Sequence, residues 1–128
     1  MPVTWSVEQL GRFAVMSITD PYTIEEWRSA VVAMMLATSA RPKLSLLVDR
    51  RRATPPSSEE VTQMIEFFEK NSPALTGRRA GIVVADDTGF GVARMIELRS
   101  RLELPGGTMR VFRHYDDAVS WLTNEASE

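Results

Sequence analysis

Three polar clusters hold the side chains best suited to chemistry. Asp49-Arg50-Arg51-Arg52 sets a carboxylate beside three guanidinium groups, with Ser57 and Ser58 shortly after. Asp86-Asp87-Thr88-Gly89-Phe90-Gly91 joins two acids to a glycine-rich turn, and Arg113-His114-Tyr115 holds the single histidine. Guanidinium forks match carboxylates and phosphates, so the arginine run suits an anion or an acidic partner. Asp49 with Asp86 would suit a magnesium-like octahedral ion, but two carboxylates are too few to define a metal site. His114 with Asp116 offers an acid–base pair, yet no serine or cysteine is assigned to it as a nucleophile. The glycines match neither the dinucleotide fingerprint nor the P-loop. A phosphoryl-accepting receiver would use Asp49 and a late lysine, and no lysine follows Lys70. The expectation is a chain without catalytic set, metal or cofactor.

Several of these residues have simpler structural roles. Ser57 stands where a serine caps a helix. Asp86 and Asp87 stabilise the dipole of the helix that follows. Gly89 and Gly91 supply turn geometry.

The elements that position these clusters follow from periodicity. Val3–Glu8 alternates as a half-buried strand, and Arg12–Ile18 returns as its hairpin partner. Thr23 and Glu26 have capping-box spacing, with Tyr22 and Trp27 placed as a hydrophobic staple. The helix they open runs from Ile24 to about Thr38. Leu44–Val48 is a short apolar strand of the doubly buried kind, ended by the arginine run as a loop. Ser57 and Glu60 form a second capping box. The helix behind it buries Val61, Met64, Ile65 and Phe68 and stops near Asn71. Ala80–Ala85 is the fourth strand, and after the turn a third helix reaches about Leu102. Pro105-Gly106-Gly107 is a loop, Met109–Phe112 the last strand, and Asp116 opens a final helix with Ala118, Trp121 and Leu122 on one face. The tail from Asn124 is expected to fray.

The predicted order is therefore β-β-α-β-α-β-α-β-α in one domain over residues 1–128: an α/β fold with an antiparallel hairpin followed by parallel strands. Ligands of open α/β sheets bind beyond the carboxyl ends of the strands. All three polar clusters fall there. Helix three is apolar nearly all round, through Phe90, Val92, Ala93, Met95, Ile96, Leu98 and Leu102, with Arg94, Glu97, Arg99 and Arg101 sharing the polar face that remains. Such a helix is deeply buried or presents a second apolar surface to a partner, including a second copy. Met34, Met35 and Met64 would suit an adaptable apolar pocket.

Composition narrows the partners. The chain has 128 residues, 44% hydrophobic and 25% charged, as in ordinary globular proteins. A net charge of -2 gives no pull toward nucleic acid. With no cysteine, disulfides and thiolate metal sites are excluded, and a cytoplasmic setting is expected. No signal peptide or membrane span is expected.

Taken together, the chain resembles the SpoIIAA-like family of the STAS superfamily. Leu46-Leu47-Val48-Asp49, Gly89-Phe90-Gly91-Val92-Ala93-Arg94-Met95, and Val111-Phe112-Arg113 with Asp117-Ala118 and Trp121-Leu122 carry the resemblance. It implies a mixed sheet of about five strands with four helices, packed mainly on one side, and a non-enzymatic regulatory or protein-interaction role. Domains of the anti-sigma-factor-antagonist type bind a partner kinase. They are switched by phosphorylation of a serine or threonine at the start of the helix after the third strand. Pro56-Ser57-Ser58-Glu59 matches that region, making Ser57 and Ser58 the candidate positions. It departs from the usual Asp-Ser-Ser/Thr-Gly pattern at its first and last residues. The architecture is also similar to that of CRAL-TRIO lipid-binding domains, which implies a small lipophilic ligand as the alternative.

Overall fold

The computed structural model describes residues 2–71, 77–103 and 108–123. Its strands are β1 (Val3–Val7), β2 (Phe13–Thr19), β3 (Ser45–Arg52), β4 (Arg79–Val83) and β5 (Thr108–Phe112). Its helices are α1 (Ile24–Ala37), α2 (Ser58–Lys70), α3 (Asp87–Glu103) and α4 (Tyr115–Thr123). The strands lie in the order β1-β2-β3-β4-β5. The β1–β2 pair is antiparallel and the other pairs are parallel. At the hairpin, Gly11 adopts φ 72°, a conformation open to glycine at little cost. Glu8 closes the turn by accepting from the Arg12 backbone and guanidinium.

Both expected capping boxes form. Thr23 Oγ1 accepts from the Glu26 amide and Ser57 Oγ from the Glu60 amide, with each glutamate bonded back to its cap. Each box satisfies two amides that a helix start would otherwise leave open. Trp27 is buried, with Tyr22 packed on the same cluster, as the staple requires.

The sheet separates two cores. Ala14, Met16, Ile18 and Leu46 meet Trp27, Val31, Met34 and Met64 of α1 and α2 on one face. Ile82 and Val84 pack with Ala93 of α3. On the opposite face Phe13, Leu47 and Val83 pack with Ala118 and Leu122 of α4. Central strands thus bury both faces, which explains their unbroken apolar runs. The methionines predicted to suit a pocket are packed inside this core: Met34, Met35 and Met64 are all buried.

Two predicted loops are regular structure instead. The arginine run continues β3, because β2 extends far enough to pair with it. Thr19 registers with Arg52 across a bulge, and the Asp20 amide donates to the Arg52 carbonyl at 3.2 Å. Of the turn predicted before helix three, Asp87 to Gly91 already belong to it, since α3 starts at Asp87. Asp86 Oδ1 accepts from the Gly89 amide at 2.8 Å, acting as its cap. The predicted Pro105–Gly107 loop and the tail from Asn124 lie outside the described residues.

No helix among the described residues is long and apolar enough to cross a membrane.

Candidate functional site

The carboxyl ends of β3, β4 and β5 bring the predicted clusters to one rim, divided by the sheet. Alternation along β3 sends neighbouring arginines to opposite faces. Arg51 turns toward α4. It binds Asp49 through Nε and Nη2, at 2.9 and 2.8 Å, and lies over the Tyr115 ring at 4.9 Å. The guanidinium holds the Asp49 carboxyl below its usual range, chiefly through these hydrogen bonds, against a smaller opposing effect of burial.

Arg50 turns the other way and is buried, with 8% of its surface exposed. Its Nη2 donates to the Tyr22 hydroxyl at 2.8 Å and the Thr54 carbonyl at 3.0 Å. The guanidinium stands over the Tyr22 ring at 5.3 Å. Arg52 is exposed at the strand end.

The start of α3 and the end of β5 form the second half of the rim. Arg113 pairs with Asp87 at 2.7 Å and covers the Phe90 ring at 4.7 Å. Both charges are well exposed, so the pair is a weak clasp. Thr88 is exposed on the first turn. Gly89 is buried where the helix meets β4. A Cβ there would come within 3.3 Å of both Asp86 Oδ1 and Val84 Cβ. Gly91 faces open space.

Farther along α3, the Arg94 guanidinium binds Glu97, while Met95 and Leu98 are 48% and 46% exposed. Helix three is therefore buried on one side and exposed on the other. Ala93 and Ile96 are buried against the sheet and α2, and Met95 and Leu98 remain on the outside.

His114 is exposed, and its carbonyl accepts from the Ala118 amide at 3.3 Å to start α4. Asp116 is also exposed. Ser57 and Ser58 are exposed at the start of α2. Ser57 serves as its cap, and the Ser58 carbonyl accepts from Thr62. Among the described residues, no group of three histidine, cysteine or acidic side chains is placed to hold a metal ion.

A cleft of about 60 Å³ opens between the two halves, bounded by Arg50, Pro55, Pro56, Val84, Gly89 and Ala93. Sites that engulf drug-sized ligands are roughly 300–1,000 Å³, so this cleft is sized for a small head group.

The sequence reading passed over Arg78 and placed Glu97 on the polar face of helix three, and both are buried. Arg78 is 4% exposed, and donates to the Leu44 carbonyl and to Thr38 Oγ1. Burial pushes its guanidinium down from the usual arginine value. Glu97 is 1% exposed and accepts from the Val111 amide. Its spacing from Ala93, one helical turn earlier on the buried side, was a legible signal. Nothing in the sequence separates Arg78 from its half-exposed neighbour Arg79.

No protein-family model matches the chain, and no curated protein matches it in sequence. Among solved structures it is similar to an uncharacterised protein of the DUF3478 family from Shewanella loihica PV-4, described as having a SpoIIAA-like fold. The two share 16% identity and superpose with a TM-score of 0.65, over 94% of this chain and 91% of that one. The hairpin-led mixed sheet, its helix placement and this match together give the chain a SpoIIAA-like fold.

Proposed function

We propose that the chain is a non-enzymatic protein-interaction module with a regulatory role. Its partner surface joins the strand-end rim to the outer face of α3. The observation that carries this reading is the exposure of Met95 and Leu98, which lie one turn apart on the helix whose first turn builds the rim. Large apolar side chains held out together by a packed helix are typical of a surface made for contact. The charged rim residues support it. Asp49 is engaged by Arg51, Asp87 by Arg113 and Asp86 by the Gly89 amide, so these carboxylates act as structural ties. The SpoIIAA-like fold agrees with an interaction role.

Photocrosslinking in the native cell tests it. A benzophenone side chain at Met95 is expected to capture one discrete protein. The adduct should disappear with Leu98→Asp and weaken with Arg51→Glu. The same probe at Glu25, an exposed position of α1, is the control. Equal capture from both positions would place the partner surface elsewhere and overturn the reading.

A further inference from the structure

Arg50 is buried, at 8% exposure, and no carboxylate pairs with it among the described residues. Its partners are neutral: the Tyr22 hydroxyl and ring, and the Thr54 carbonyl, both hydrogen bonds being made by Nη2. Nε and Nη1 have no protein acceptor among the described residues. Neither nitrogen is sealed from water, because among the described residues no enclosed side-chain nitrogen or oxygen lacks a hydrogen-bond partner, so both remain open to a further acceptor.

The same side chain lines the cleft between β3, β4 and the starts of α2 and α3. The other two charged residues on that cleft each have a partner, and Asp86 keeps its negative charge. Arg51 holds Asp49, and Asp86 Oδ1 is taken by the Gly89 amide. The remaining walls are apolar or backbone, including Pro55, Pro56, Val84 and Ala93. A volume of about 60 Å³ admits several water-sized groups, since one needs roughly 10–15 Å³. It is much smaller than a pocket for a whole cofactor. Gly89 keeps this space open: a side chain there would crowd Val84 and Asp86.

We propose that the cleft is an anion site in which Nη1 and Nε of Arg50 bind the phosphate or carboxylate head of a small molecule. The two protein bonds on Nη2 aim the guanidinium, and the apolar walls raise the strength of the charged contact by excluding water. This site lies within the strand-end rim, apart from the outer face of α3, and does not rest on a protein partner there.

Titration of the nitrogen-15-labelled chain by nuclear magnetic resonance tests the proposal, with inorganic phosphate and acetate as probes and sodium chloride at matched ionic strength as the blank. Saturable shifts are expected at Arg50 Nε and the Thr54 and Gly89 amides with phosphate, acetate or both. The tighter probe identifies the head group. Arg50→Lys should weaken binding by about tenfold or more, while Lys70→Gln, an exposed position at the far end of α2, should leave it unchanged. Shifts that rise linearly through the millimolar range with both probes would overturn the proposal in the wild-type protein, whether or not Arg50→Lys folds. So would unchanged affinity in a folded Arg50→Lys variant.

Discussion

Glu97 of α3 accepts a hydrogen bond from the backbone N–H of Val111 on β5, at 3.1 Å. β5 is an outer strand of the sheet. The Phe112 carbonyl faces β4, where it accepts from the Val84 amide, so the Val111 amide points outward by alternation. Glu97 therefore closes part of an open sheet edge, and Arg94 holds its carboxylate from the preceding turn. Covering an edge in this way protects it from pairing with another chain.

Glu97→Ala should lower stability by about 1–3 kcal/mol, the cost of leaving a buried donor unpaired. Glu97→Gln keeps an acceptor for Val111 and should cost less. Chemical denaturation measures both, and amide exchange at Val111 should quicken most in the alanine variant. Equal exchange in wild type and Glu97→Ala would show that the bond does not protect the edge.

The Asp49–Arg51 pair sets a pH dependence. The Asp49 carboxyl is lowered from its ordinary 3.8 in the folded chain, mainly by hydrogen bonds from Arg51. A lowered folded value gives stability that is full above the unfolded value and is lost as pH falls through the folded one. Asp49→Asn should therefore destabilise the chain at neutral pH, by up to about 1 kcal/mol given the exposure of Arg51. The difference from wild type should shrink as pH drops below the ordinary carboxylate range. Melting curves from neutral to strongly acid pH would show it, and a constant difference would remove the pair as its source.

Ser57 and Ser58 separate a cap from a switch. Ser57→Ala removes the side chain that accepts from the Glu60 amide and should cost about 1 kcal/mol. Ser58→Ala, on the first turn, should change stability by less. Phosphate on either residue would gain from the start of the helix and lose to Glu59 and Glu60. Mass spectrometry of protein from its own cell reads the modification directly. Complete absence of phosphate across growth conditions would leave Ser57 with its capping role alone.

Gly91 lies inside α3, and a Cβ there meets nothing within 4 Å. Gly91→Ala should stabilise the chain by about 0.5–1 kcal/mol, because alanine loses less backbone entropy in a helix. A higher melting temperature with unchanged secondary structure is the expected result. A lower one would mean that this turn is not helical in solution.

Local signals were strong enough to reveal much of this molecule. Thr23 with Glu26, and Ser57 with Glu60, announce two helix starts through side chains that bond within four residues. The apolar run Leu46-Leu47-Val48 announces a strand buried on both faces, and the order of elements leads to the mixed sheet. The extent of β3 depended on a more distant partner, whereas the start of α3 is set locally. Arg52 joins the sheet because Thr19, far away in sequence, pairs with it, and Thr88 to Gly91 enter a helix because Asp86 caps it.

By itself, the sequence determined which segments would be strands and helices, and that its polar clusters would meet at the strand ends. Periodicity and caps act over one or two turns of chain, so they are written locally. Only the tertiary structure decided how those clusters divide. Adjacent side chains on a strand point to opposite faces, so Arg51 joins Asp49 and Tyr115 while Arg50 enters the core beside Tyr22. Likewise only packing decided that Arg78 would be a buried charge and that Met95 would stay outside. Burial and charge pairing depend on neighbours that folding brings together, and no local pattern records them.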